Sequence, residues 1–281
     1  MRREIVVIIG TGGMGLAIAR RLGSGKTLLL GDANPETLDR AAQALRGEGH
    51  SVHVRAVDVS TPESVAALAD AAAELGPVTA IAHTAALSPA QAPVDVILRV
   101  DLVGTALVLD EFARVVAPGG AAVVVASMAG HLLPPLPKEH ERALAITPTS
   151  ELLALEFLGP DRIDHPAAAY GIAKRGNMLR VQHAAVRWGA RRARVNSISP
   201  GIVFTAMSHE ELAGEQGDVM RRMIDDSAAG RAGTPDDIAD AAAFLLGPHA
   251  GFITGADLLV DGGVVASVRS RKAAKSMGRM R

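Results

Sequence analysis

Ile5-Val6-Val7-Ile8-Ile9-Gly10-Thr11-Gly12-Gly13-Met14-Gly15-Leu16-Ala17-Ile18-Ala19-Arg20-Arg21-Leu22 decides how this chain is read. A β-branched run suits a buried strand, a glycine-rich turn follows it, and the apolar positions after the turn recur at helical spacing. Gly10 would make the tight turn, Gly12 would let a backbone approach a pyrophosphate, and Gly15 would let the helix pack closely on the strand. Gly13 and Met14 complete the loop at the helix N-terminus, where free N–H groups and the dipole favour an anion. Strand, G-x-G-x-x-G and helix together form a dinucleotide-binding signal; a glycine-rich turn without a ligand is the competing reading.

Downstream, Thr27 to Leu30 reads as a second strand ending at Gly31-Asp32, seventeen residues past Gly15. An acid there can accept from both hydroxyls of an adenosine ribose and repels a 2′-phosphate, so NAD is favoured over NADP. No arginine or lysine stands at Ala33 or Asn34 to receive that phosphate. Asn34 is the better helix cap, with Pro35 behind it at the first helical position. Strands at Val52 to Val57 and Val78 to Ala82 alternate with helices after Pro35 and after Thr61-Pro62-Glu63, which predicts a parallel sheet covered on both faces. Asp58-Val59 lies past a strand end, where it either meets an adenine edge or simply shapes its loop. A long helical stretch from about Val94 to Val116 precedes a fifth buried strand, Ala121 to Ala126, which runs into Ser127. A serine at the carboxyl edge of a parallel strand faces the crevice where such sheets bind ligands.

Composition narrows the classes. The chain has 281 residues, 48% hydrophobic and 21% charged, with net charge −1, enough for a sizeable core. Aromatics are 2%, too few for the stacking platforms of single-stranded nucleic-acid binders. The absence of cysteine excludes disulfides, thiolate metal sites and cysteine nucleophiles. Neither His140-Glu141 nor His209-Glu210 extends to H-E-x-x-H, so no metal is assigned. The longest uncharged run, Val115 to Pro137, is interrupted by Pro118, Gly119, Gly120, Gly130 and Pro134, so no membrane span is expected. A soluble, cytoplasmic protein is the expectation.

Tyr170-Gly171-Ile172-Ala173-Lys174 places a phenol and an amine on one helix face. A phenol titrates near ~10 alone, so using it as an acid or base near neutrality requires a cation such as Lys174 beside it. Alone, the spacing also describes a packed ring and a solvated lysine. In the company of Ser127 and Gly130, of Asn196-x-x-x-Pro200-Gly201-x-x-x-Thr205, of Gly230 to Pro235, and of Val260-Asp261-Gly262-Gly263, it says more. From about residue 5 to 263 the chain resembles the short-chain dehydrogenase/reductases, oxidoreductases that use NAD or NADP. That resemblance implies an α/β fold: one Rossmann-type domain over 1–263, a doubly wound parallel sheet of about seven strands with helices on both faces. It also implies Ser127, Tyr170 and Lys174 as catalytic residues, with Asp101 where the family has a helix asparagine. Thr84, Ala85, Pro200, Gly201, Val203 and Thr205 are implied to border the cofactor, beside Tyr170 and Lys174. The substrate implied is an alcohol or ketone, and the assembly a homo-oligomer, dimer or tetramer.

The chain also departs from the family pattern. Its glycine motif is one residue shorter, His83-Thr84-Ala85-Ala86 replaces N-N-A-G, and Asp101 brings a charge that would pull on Lys174. These departures leave open an NAD-binding sensor or scaffold without turnover. Residues 131–166 form an insertion with six prolines and an apolar patch from Leu152 to Leu158, read as a lid over the substrate or as an oligomer contact. After Gly263 comes a tail holding Arg269, Arg271, Lys272, Lys275, Arg279 and Arg281 and no acid, read as solvated and flexible.

Overall fold

The computed structural model describes residues 3–278 except 206–207, 209–211, 213 and 215–216, with side chains as far as Arg271. Seven parallel strands form its one sheet: β1 (Ile5–Ile9), β2 (Thr27–Asp32), β3 (Ser51–Ala56), β4 (Val78–His83), β5 (Val116–Val125), β6 (Arg194–Pro200) and β7 (Asp257–Val260), in the order β3-β2-β1-β4-β5-β6-β7. The order reverses between β1 and β4, and ligands enter such sheets at that point, beyond the strands' carboxyl ends.

Alternation along β1 shows how the layers are sorted. Ile5, Val7 and Ile9 face one side, where α3 (Pro62–Leu75), α5 (Gly104–Val115) and α8 (Pro166–Ala190) pack; Val6 and Ile8 face the other, covered by α1 (Gly13–Leu22), α2 (Pro35–Gly47) and α10 (Pro235–Leu246), which follows α9 (Gly217–Asp225) in the chain. Alanines such as Ala17, Ala42, Ala69 and Ala72 line these contacts and let helix backbones approach closely in a core with few rings. Capping fixes where helices begin. Asn34 accepts from the Thr37 N–H ahead of Pro35, as its position implies, and Thr234 and Asp237 form a reciprocal capping box on α10. The helix preceding β5 runs as α4 (Val94–Ile97), a π-helical turn over Leu98–Val103, and α5; Asp101 lies in the widened turn.

Two segments, the insertion and the basic tail, take defined shapes. Of the insertion's residues, His165 and Pro166 line the central cavity. It folds as α7 (Lys138–Ile146) and two 3₁₀ turns, Thr149–Ala154 and Glu156–Leu158, whose Leu144, Leu152, Leu158 and Ile163 form a separate core with Leu98, Leu102, Ala169 and Ala173. Two arginines of α8 fasten it. Arg180 donates to the carbonyls of Leu144 at 3.1 Å and Thr147 at 3.0 Å, and Arg175 donates to Glu141 at 2.8 Å. The leucines read as a lid's underside have the outer flank of α8 to cover, and they bury themselves there.

The basic tail is also ordered where it is described, as α11 (Val264–Gly278). Gly262 and Gly263, at φ +62° and +88°, turn the chain, and the Asp261 carboxylate then accepts from the N–H groups of Gly263 and Val265 at 2.8 and 2.7 Å. Val264 and Val265 are buried, Arg269 donates to the His131 carbonyl at 3.0 Å, and Arg271 pairs with Asp226. Charge counting could not reveal those partners, which come from distant parts of the chain. No helix among the described residues is long and apolar enough to cross a membrane. No group of three His, Asp or Glu gathers among them either; the His209-Glu210 pair lies outside the described residues.

Candidate active site

The glycine loop is shaped by close approaches. Gly10 has φ +91°, and a Cβ there would stand 2.5 Å from the Ala85 nitrogen; a Cβ on Gly15 would stand 1.9 Å from the Gly10 carbonyl oxygen. Thr84 donates its hydroxyl to that same carbonyl at 2.8 Å, so the β4 exit is pinned to the loop. Gly12 is different: nothing lies within 4 Å of where its Cβ would be, and it begins α1 without a side-chain cap. Open space therefore meets the free N–H groups of Gly13, Met14 and Gly15, an arrangement that fits an anionic pyrophosphate.

Asp32 ends β2 beside this loop. One carboxylate oxygen accepts from the Thr11 N–H at 2.6 Å and its hydroxyl at 2.9 Å; the other accepts from the Asn34 N–H at 2.9 Å. A carboxylate offers about four lone-pair sites, so capacity remains for a ribose hydroxyl. Asp58, past β3, accepts from the Ser60 N–H at 2.9 Å and hydroxyl at 2.7 Å, and those bonds, the hydroxyl first, hold it below the usual carboxylate range. It thus shapes its own turn, while Val59 is buried against Gly104.

A cavity of about 660 Å³ opens beyond the ends of β4, β5 and β6, lined in part by Met14, Thr84, Ser127, Tyr170, Lys174, Pro200, Gly201, Val203 and Thr205. The segment carrying the last four is held by a bridge between Val203 and Gly233 and by the Phe204 N–H bonded to the Gly233 carbonyl at 2.9 Å. Thr205 in turn receives the Ser208 hydroxyl on its carbonyl at 3.0 Å. Gly10, Gly12, Gly13, Gly15, Asp32, Asp58, Val59, Ala85 and Asp101 lie outside this cavity's lining.

Ser127 caps α6 (Met128–Leu132), its Oγ accepting from the Ala129 N–H at 3.1 Å. The bond uses a lone pair and leaves the hydroxyl hydrogen to donate. The short helix is braced from the sheet edge, where His131 meets Asp257 at 2.7 Å and that aspartate also accepts from Ser197 at 2.6 Å and Ser199 at 2.9 Å.

On α8, the Lys174 Nζ lies 5.2 Å from the centre of the Tyr170 ring and 3.0 Å from Asp101 Oδ2. Lysine and aspartate side chains are only 2% and 0% exposed, so their pairing is a buried one. Burial pulls Lys174 down, but the charge of Asp101, then Tyr170, then the Asp101 hydrogen bond outweigh it, and the lysine sits above its ordinary value. Asp101 Oδ1 accepts from the Leu87 N–H at 2.9 Å, which ties the π-helical turn to the loop after β4. His83 lies behind this pair. Thr105 donates to the Asp101 carbonyl at 2.8 Å, so His83 Nε2, 3.2 Å from the Thr105 oxygen, must be the donor there. Burial, and secondarily the Lys174 charge, bring His83 down to about 3, leaving it neutral and structural.

Sequence reasoning missed several of the cavity's walls: Ala86, Pro89 and Ala90 after β4, Met128 and Ala129, His165 to Ala167, Ile202 and Met220. His165 had a legible signal, since it directly precedes Pro166 at the start of the helix that carries Tyr170.

Known proteins resemble this chain in sequence and in fold. The chain matches the family model described as short chain dehydrogenase over residues 4–136 and the one described as Enoyl-(Acyl carrier protein) reductase over 138–265. It belongs to the short-chain dehydrogenase/reductase family, oxidoreductases that generally bind a nicotinamide cofactor. Among its relatives, the short-chain dehydrogenase/reductase bsc3 of Alternaria brassicicola is 39% identical, over 95% of this chain and 97% of its own. D-threitol dehydrogenase of Mycolicibacterium smegmatis is 31% identical, over 92% of each. A solved short-chain dehydrogenase/reductase from Serratia marcescens shares the fold, with TM-score 0.72 at 23% identity over 94% of this chain and 98% of that one.

Proposed function

We propose that the protein interconverts a secondary alcohol and a ketone using NAD(H). The observation carrying this reading is that Ser127, after β5, and Tyr170 and Lys174, both on α8, border one cavity beyond the carboxyl ends of the sheet's strands. A relative named for threitol, a polyol, supports an alcohol as the substrate. The nicotinamide, when bound, supplies the hydride acceptor or donor. Tyr170 as phenolate takes the hydroxyl proton, and Ser127 donates its free hydrogen to the reacting oxygen and fixes its position. Lys174 stabilises the phenolate and holds the nicotinamide ribose. Val203 and Thr205 anchor the carboxamide, Pro200 and Gly201 border the ring, Gly10 to Gly15 receive the pyrophosphate, and Thr84 and Ala85 close the loop behind it. Asp58, besides holding its own turn, would border the adenine edge, with Val59 next to it in the chain.

A panel of secondary alcohols and ketones followed by NADH fluorescence tests the reading; binding of NADH without turnover of any of them would replace it with the sensor. Asp32 carries the cofactor preference. Asp32→Ala is expected to weaken NAD by roughly tenfold, the worth of a charge-assisted hydrogen bond, while NADP is spared or improved. Unchanged preference in binding titrations would refute that role.

The assembly we propose is a homo-oligomer closed over the β7 edge. Among the described residues that strand pairs on one side only, its Leu258 is exposed, and the fully exposed Phe252 precedes it in the chain, an edge that a second copy would cover. Sedimentation velocity should show a dimer or tetramer; a monomer at micromolar concentration would contradict it.

A further inference from the structure

One titratable side chain besides Tyr170 and Lys174 stands among the described residues of the cavity wall: His165. It is the N-cap of α8. Pro166 stands at the first helical position, and His165 Nδ1 accepts from the N–H of the second, Ala167, at 3.1 Å, as an N-cap does. In a neutral imidazole that acceptor role places the ring hydrogen on Nε2. The helix thus fixes the ring's tautomer and leaves one N–H donor on a ring that lines the cavity. Five residues of helix, at about 1.5 Å each, separate it from Tyr170 by roughly 7.5 Å along the axis.

The rest of the wall sharpens what that donor is for. Ala86, Pro89, Met128, Ile202 and Met220 are apolar, and no carboxylate or guanidinium is among the described lining residues. Among the described lining residues a phosphorylated or carboxylated substrate would find no counter-charge apart from His165 when protonated and Lys174, which is engaged with Asp101. We infer that the substrate is an uncharged, largely apolar alcohol with a second oxygen, and that His165 Nε2–H selects it by donating to that oxygen while Tyr170 and Ser127 hold the reacting one. The inference rests on the alcohol–ketone reading above and names the substrate class for the same site.

Cyclohexane-1,4-diol and cyclohexanol share a ring and differ by the oxygen in question. The wild type should prefer the diol by about tenfold in kcat/KM, the effect of one hydrogen bond. His165→Ser keeps a good helix cap but lacks the long-reach donor. It should lose most of that preference, with the loss falling in KM on the diol and the melting temperature held. Equal losses on both alcohols would reduce His165 to a cap and overturn the inference. So would a wild type that shows no preference, or one that turns over other secondary alcohols but not the diol. Failure to oxidise any alcohol is a different result: it removes the functional reading beneath.

Discussion

Tyr170→Phe is expected to remove turnover, by about 10³-fold or more, while NADH binding and the melting temperature change little. The change deletes one oxygen from a partly exposed ring, and its neighbour Lys174 keeps its partner Asp101. On the proposed mechanism, however, the alcohol loses the group that takes its proton. Stopped-flow NADH binding beside steady-state turnover separates the two. A variant that folds but no longer binds NADH would show that the phenol serves the cofactor and not the reaction.

Lys174→Met should cost more than activity. Asp101, wholly buried, would lose its cation at 3.0 Å and retain only the Leu87 N–H. Leaving one partner of a buried ion pair uncompensated costs about 3–5 kcal/mol, a large part of a typical domain's stability. Thermal melting should fall sharply in the single variant and recover in Lys174→Met/Asp101→Asn, with turnover absent in both. If the single variant melts like the wild type, the pair does not stabilise the fold.

Asp101→Asn alone reports on the phenol. Removing the negative charge leaves Lys174's positive charge less opposed beside Tyr170, which favours the phenolate, so the pH–rate limb for alcohol oxidation should move to lower pH. Lys174 keeps its charge there because Tyr170, its other negative neighbour, draws the proton onto it as the phenol ionises. An upward shift would mean that burial had instead discharged the lysine.

The sheet and the cofactor end were legible in the sequence because their signals are local. A β-branched run followed by glycines and a helix can hardly be built another way, and the clashes at Gly10 and Gly15 are the physical content of that spacing. Tyr170 and Lys174 were legible for the same reason, one turn apart on one helix. The insertion was not. Leu144, Leu152 and Leu158 declare that they need cover without declaring which, and their cover is built by Ala169 and Ala173 together with Arg180's hold on two carbonyls. The same holds for the tail, whose arginines find a carbonyl more than a hundred residues away at His131 and an acid at Asp226. Asp101 falls between these cases. Its pull on Lys174 follows from its charge, but the direct pairing at 3.0 Å depends on the π-helical turn that carries it.

Tyr170 is the chain's only tyrosine and Trp188 its only tryptophan, the latter buried with its indole N–H on the Leu109 carbonyl at 3.2 Å. Ultraviolet difference absorbance of the phenolate in the unmodified protein therefore comes from this one ring in the cavity wall, and indole emission comes from a single interior position near the far end of the same helix. One sample titrated with base can thus yield the ionisation of Tyr170 and the integrity of the fold in two separate channels, without a label or a substitution.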